Sequence, residues 1–190
     1  MLGLLLLLGV LSNATITPTA EEQKIINLVL RSCPNDVTAA LGWQSVGCAL
    51  TALRQPRWVD IADYFCGSGA VSMVGREDGL RAIFLDNICD PNDDLSSTLG
   101  FVRWIQSALS IKRFGYAVIG FPCQTFVWIS LGHTKRSKQS PYGNVARDGV
   151  YVANILFERI WLTIRSFCIR GVYWVLESPL RNTLWTQPLF

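Results

Sequence analysis

The sequence predicts an α/β domain on a mostly parallel sheet, preceded by short helices, and three observations predict it. From Trp58 onward, short apolar runs alternate with longer amphipathic ones, the rhythm of strand-helix-strand units. A glycine-rich turn, Cys66-Gly67-Ser68-Gly69, stands where the first strand hands over to the first helix. Half of the 190 residues are apolar and only 16% are charged, which suffices for one core and hardly for two.

The elements follow in order. Residues 1–14 form an apolar, signal-like segment: Leu2 to Leu11 are almost wholly apolar and Ser12-Asn13-Ala14 offers a small-x-small cleavage pattern. The run is shorter than the roughly 20 apolar residues of a membrane-spanning helix. It lacks a basic residue ahead of the apolar core, so a core helix is the alternative reading. Residues 15–57 read as a helical lead-in, with apolar residues at mixed three and four spacing over 21–31 and 37–53, divided by Cys33-Pro34-Asn35-Asp36. Gln55-Pro56-Arg57 breaks that pattern. Within 58–190, strands are predicted at 59–65, 82–85, 116–119 and 172–176, and helices at 70–77, 97–112 and 150–167. A polar loop at 132–144 carries Lys135, Arg136 and Lys138.

A net charge of +3 neither demands nor excludes a nucleic-acid partner. The six cysteines, Cys33, Cys48, Cys66, Cys89, Cys123 and Cys168, are widely scattered, with no Cys-x-x-Cys pair and His133 as the one histidine. That spacing argues against a zinc site, whose ligands arrive in close pairs, and no metal is expected. In an exported chain the even cysteine count would instead suggest a disulfide-stabilised domain.

The glycines of the Asp63-to-Gly69 turn let the backbone bend tightly and approach a ligand. Asp86 ends the second strand, where a carboxylate can accept hydrogen bonds from ribose hydroxyls. A phosphate-binding loop is absent, as is the third glycine of the dinucleotide fingerprint. A nucleoside with an uncharged tail, such as S-adenosylmethionine, therefore fits better than NAD or ATP. An ordinary tight turn remains the alternative if the motif is read alone.

Tyr116-Ala117-Val118-Ile119-Gly120 reads as a buried strand followed at once by Phe121-Pro122-Cys123-Gln124. Ligands bind at the carboxyl ends of strands in open parallel sheets, so Cys123 is placed for nucleophilic work. A buried structural cysteine is the bland alternative. Gly-Phe-Pro-Cys-Gln resembles the nucleophile motif of the cytosine-C5 methyltransferases, and the earlier Phe65-x-Gly67-x-Gly69 resembles their cofactor motif. Val175-Leu176-Glu177-Ser178-Pro179 occupies the place of that family's Glu-Asn-Val motif, with the glutamate kept. The similarity runs from about Trp58 to Asn182.

The resemblance implies a Rossmann-like, S-adenosylmethionine-dependent methyltransferase fold. It implies that Cys123 attacks C6 of cytosine in DNA or RNA while Glu177 holds or protonates N3. Phe65, Gly67, Gly69 and Asp86 would bind S-adenosylmethionine, with Asp94 a weaker candidate for its adenine amine and Pro122 lining the pocket. Lys135, Arg136 and Lys138 lie where the family has a mobile loop over nucleic acid; they contact phosphates or form a solvated surface loop. In a duplex the target base must leave the stack to reach the thiolate.

The sequence departs from the family in three places. Ser178-Pro179 stands for Asn-Val, and Pro141-Tyr142-Gly143-Asn144 lacks the arginine of an Arg-Gly segment. The family's later arginine motif, target-recognition region and last cofactor-binding helix have no counterpart before Phe190. The resemblance thus implies a domain truncated at its carboxyl terminus, with activity an open question and a second chain supplying recognition as one expectation. A non-catalytic binding or assembly module with the same fold is the alternative. Localisation stays open, since the amino terminus suggests secretory entry and the chemistry suggests the nucleus or an organelle.

Overall fold

The computed structural model describes residues 18–32 and 57–187, so the apolar segment at 1–14 and the predicted helix at 37–53 lie outside the described residues. Helix α1 (Ala20–Ser32) is followed by β1 (Val59–Tyr64), α2 (Ala70–Glu77), β2 (Ala82–Leu85), α3 (Thr98–Ser110) and β3 (Ile111–Gly120). A short α4 (Leu131–Thr134), the long α5 (Asp148–Arg170) and β4 (Tyr173–Glu177) complete the chain of elements. The four strands form one all-parallel sheet in the order β2-β1-β3-β4. This is an α/β architecture compatible with a Rossmann-like fold.

The strand order has one reversal. After β2 the chain crosses back over β1 to lay down β3, so β1 and β3 flank the topological switch point where ligands of open α/β sheets bind. Right-handed crossovers put α2 on one face and α3 and α5 on the other. Alternation on the strands agrees. Ala62 and Tyr64 of β1, with Ala117 and Ile119 of β3, are buried with Phe101, Trp104 and Ile105 of α3 and Phe157, Ile160, Ile164 and Phe167 of α5. Tyr64 packs against Trp104 and Phe167 at ring separations of 4.7 and 5.9 Å. Its buried hydroxyl is satisfied by Ser107 at 2.8 Å. Ile26 of α1 joins this core.

The opposite face is only half covered. Ile61 lies under Gly75 of α2, but Phe114 and Tyr116 of β3 and Tyr173 and Val175 of β4 are exposed. Tyr116 and Tyr173 are register partners with rings 5.5 Å apart, and Phe114 lies 6.1 Å from Tyr173.

β3 begins five residues ahead of the expected Tyr116. Between the pairs Val59↔Ile111 and Ile61↔Tyr116, β1 advances two residues while β3 advances five, so β3 bulges. Phe114 takes φ 64° inside the bulge, and a side chain on Gly115 would strike Ile111 Cγ2 at 2.8 Å and the Asp60 carbonyl at 2.9 Å. The bulge delivers Lys112 Nζ to Asp60 at 2.6 Å, while Arg81 donates to the same carboxylate from its amide at 2.9 Å.

The Lys112 ammonium, then the Arg81 amide, hold the Asp60 carboxyl down at about 2. A carboxylate with a lowered folded-state value stabilises above its unfolded value near 4 and loses that contribution as pH falls through about 2. Asp60→Asn is therefore expected to lower stability at pH 7 by on the order of 1 kcal/mol. In urea titrations the gap to wild type should narrow from pH 4 downward; a gap that widens there would contradict the assignment.

Candidate functional site

Two loops meet at the switch point. The turn after β1 starts at Phe65, which takes φ 54°, and continues through Gly67 at φ 54° and Gly69 at φ 72°. The left-handed backbone, and not crowding, favours glycine at Gly67, where a Cβ would meet nothing within 4 Å, while Phe65 holds the same conformation with a side chain. The turn is therefore open on its outer side. Gly69 caps α2 without a side chain; Asp63 of β1 does that work, accepting from the Ser72 amide at 3.3 Å. Burial raises the Asp63 carboxyl, more than the amides of Ser72 and Val71 lower it, and nearby Asp86 adds to the rise.

Asp86 is 4% exposed and ends up beside the turn, as the sequence suggested. One of its oxygens accepts from the Gly67 amide at 2.8 Å and the other from the Ile88 amide at 2.9 Å. Each oxygen keeps acceptor capacity, so a ribose diol is compatible with this geometry. Asp94 lies farther along, half-buried, with its carboxylate accepting from the Ser96 amide at 2.9 Å and the Ser96 hydroxyl at 2.8 Å. It shapes the turn that starts α3.

The second loop leaves β3 at Gly120, where an added Cβ would lie 3.1 Å from the Phe65 carbonyl. That close approach joins the two motifs, and the Phe65 and Phe121 rings meet edge to face at 6.2 Å. Pro122 is exposed and Cys123 half-buried. The Cys123 carbonyl accepts from the amides of Phe126 at 2.8 Å and Val127 at 3.2 Å, which fixes the loop's backbone. Gly120 is the register partner of Glu177, so the third motif begins at the neighbouring strand end. Glu177 is exposed, and no ion pair joins it to Arg170 or Arg181 among the described residues; Arg170 is buried and donates to the Leu109 carbonyl at 2.7 Å. Downstream of both strands the loops are joined: Val127 bridges Asn182 antiparallel, Thr183 donates to the Phe126 carbonyl at 2.7 Å, and Trp128 donates to Arg181 at 3.2 Å.

The basic loop divides. Lys135 and Lys138 are exposed, the former at φ 58° closing α4. Arg136 differs from the expectation of a phosphate contact, because it is 3% exposed and committed to the loop itself. Its guanidinium donates to the Thr125 carbonyl at 3.0 Å, to the Pro141 carbonyl at 2.7 Å and to the Thr125 hydroxyl at 3.3 Å, and lies 3.9 Å over the Phe126 ring. Burial lowers it to about 10, so it stays protonated at neutral pH. Gly143 follows the same packing, since a side chain there would meet the Thr134 carbonyl at 2.5 Å and Arg136 Cγ at 2.8 Å.

Arg136→Ala should cost about 3 kcal/mol by stranding the Thr125 carbonyl, leaving the Pro141 carbonyl to Gln187 alone and emptying the space over Phe126, and Arg136→Lys should recover little of it because an ammonium lacks the planar fork. Faster amide exchange across 125–144 would check this; unchanged exchange in the alanine variant would refute it.

One contact has no signal in the sequence: Cys89 reaches the Gly67 carbonyl of the glycine turn at 3.4 Å. The four described cysteines, Cys66, Cys89, Cys123 and Cys168, are free thiols. Among the described residues, no three of His, Cys, Asp and Glu gather as a metal site. No family model matches this chain, and neither a curated protein nor a solved structure matches it.

Proposed function

We propose that this chain is a cytosine-C5 methyltransferase-type domain that uses S-adenosylmethionine and acts on DNA or RNA. The observation that carries the reading is the pentapeptide Gly120 to Gln124 at the carboxyl end of β3, packed against the glycine turn of β1 at the switch point. Phe65, Gly67, Gly69 and Asp86 are the residues for the cofactor, with Pro122 beside the nucleophile and Asp94 in a lesser role. An open turn and a carboxylate with acceptor capacity to spare suit a nucleoside.

C5 of cytosine is a poor nucleophile until an electron pair is added to the ring. The Cys123 thiolate adds to C6, and Glu177 holds or protonates N3, so the charge that develops on the ring is neutralised as C5 becomes reactive. When bound, S-adenosylmethionine supplies the electrophilic methyl group. Lys135 and Lys138, both exposed, are the loop residues for phosphate contact.

The test is transfer of labelled methyl groups from S-adenosylmethionine to mixed DNA and RNA pools by the purified chain. Label on nucleic acid that depends on Cys123 is expected. No transfer, together with no thermal stabilisation by the cofactor, would sink the proposal. The exposed apolar side chains of Phe114, Tyr116, Tyr173 and Val175 favour a second reading, a non-catalytic binding or assembly module. That reading predicts partner binding without cofactor stabilisation.

A further inference from the structure

Two thiols that the proposed chemistry does not use belong to residues gathered about Gly67 of the glycine turn. Cys66 belongs to the turn itself and is half-buried, whereas Cys89 follows Asp86 in the turn that leaves β2 and is exposed. The pairing of β1 with β2 runs up to Tyr64↔Leu85 and sets the two turns side by side. Gly67 ties them in both directions, its amide donating to Asp86 at 2.8 Å and its carbonyl accepting from Cys89 Sγ at 3.4 Å. The Cys89 thiol is also close enough to Cys66 to perturb it.

We propose that Cys66 and Cys89 are an oxidative modification site, a reversible disulfide formed by exchange with a low-molecular-weight disulfide, which closes the turn intended for the cofactor. The disulfide stands on the placement of both residues about Gly67, Cys66 as its chain neighbour and Cys89 bonded to its carbonyl; its effect on the cofactor rests on the function proposed above.

The exchange proceeds in two steps. The exposed Cys89 attacks, as its thiolate, one sulfur of the small disulfide, forming a mixed disulfide and releasing one small thiol. Cys66 then loses its proton to solvent and attacks Cys89 Sγ, expelling the second small thiol. Two protein thiols are oxidised by two electrons, and one small disulfide is reduced to two thiols. The order follows from the surroundings of Cys66. Burial, then the neighbouring Cys89, Asp63 and Asp86, push its thiol up to about 12, so it is the poorer first attacker. The second step is accordingly slow at neutral pH and faster as pH rises.

Closure acts on the cofactor residues directly. A disulfide bond of about 2.05 Å fixes the Cys66 and Cys89 sulfurs to one another across Gly67. It also removes the proton that Cys89 donates to the Gly67 carbonyl. Gly67 and Asp86 are hydrogen-bonded to one another, so the displacement falls on both. The expected loss in affinity for S-adenosylmethionine is about tenfold, within the usual range for coupled sites.

The experiment treats the native full chain and its Cys89→Ser variant with oxidised glutathione, blocks remaining thiols, and maps peptides by mass. In parallel, S-adenosylmethionine binding is titrated on reduced and oxidised protein. Expected are a Cys66–Cys89 cross-linked peptide pair that a dithiol reverses, its absence in Cys89→Ser, and weaker cofactor binding only in oxidised wild type. A stable glutathione adduct on Cys89 without the cross-link, or no reaction at all, overturns the disulfide. A cross-link with unchanged binding overturns the closure. Reduced protein that binds no cofactor defeats the proposed function instead, and the cross-link map still decides the disulfide.

Discussion

Cys123→Ala is expected to cut methyl transfer by at least about a thousandfold while leaving thermal stabilisation by S-adenosylmethionine unchanged. The reaction has no easy detour, because without an added electron pair C5 of cytosine does not attack a methyl donor at a useful rate. The substitution is also structurally mild. Cys123 is half-buried, and its loop is fixed through the backbone, with the Cys123 carbonyl accepting from Phe126 and Val127. Removing Sγ leaves those bonds in place. The measurement pairs initial transfer rates with cofactor-induced shifts in melting temperature for wild type and variant. Equal loss of both would mark Cys123 as structural, and retained transfer would remove it from the mechanism.

The largest effect on stability is expected from Gly100→Ala, a loss of at least about 3 kcal/mol. An alanine for a glycine inside a helix ordinarily stabilises by about 1 kcal/mol, so the predicted sign is itself discriminating. At Gly100 the added Cβ would lie 1.9 Å from the Asp94 carbonyl oxygen and 2.4 Å from its carbon. Both are backbone atoms, so no rotamer relieves the clash. The same carbonyl accepts from the Ser97 amide at 2.9 Å and from its hydroxyl at 2.9 Å, while Ser97 Oγ caps α3 by accepting from the Gly100 amide. Displacing Asp94 therefore uncaps the helix that carries Phe101, Trp104 and Ile105 into the core. Urea unfolding of the two proteins tests this, and an unchanged or raised midpoint would show that the turn yields without cost.

How far the sequence revealed the fold depends on where local pattern and tertiary contact agree. The helix at 70–77 and the strand at 82–85 coincide with α2 and β2, because a glycine turn and an apolar run mark their limits locally. The helix expected over 97–112 ends at Ser110, and β3 begins at Ile111. Lys112 looks helical by composition, but the bulge that reclaims it depends on Asp60 of the neighbouring strand and on Gly115 within β3. The glycine turn, Asp86 and the start of the Gly120 to Gln124 loop lie together because strand ends in a parallel sheet share one edge. Arg136 was misread because its partners, Thr125, Pro141 and the Phe126 ring, assemble only when the loop folds back. Cys89 gave no signal beside Cys66, since their proximity is a product of strand pairing and not of spacing.

The antiparallel bridge between Val127 and Asn182 gives the site a property that neither loop has alone. With Thr183 and Trp128 adding backbone hydrogen bonds on either side, the segment beyond Cys123 and the segment beyond Glu177 form a clasp. A clasp converts two independent wobbles into one shared motion. Cys123 and Glu177, the residues proposed as nucleophile and acid, are thereby tied to one another as well as to the sheet. The tie is made by peptide groups, whose geometry survives most side-chain changes, so the sequence is freer to vary around Cys123 and Glu177 than their exposure alone suggests.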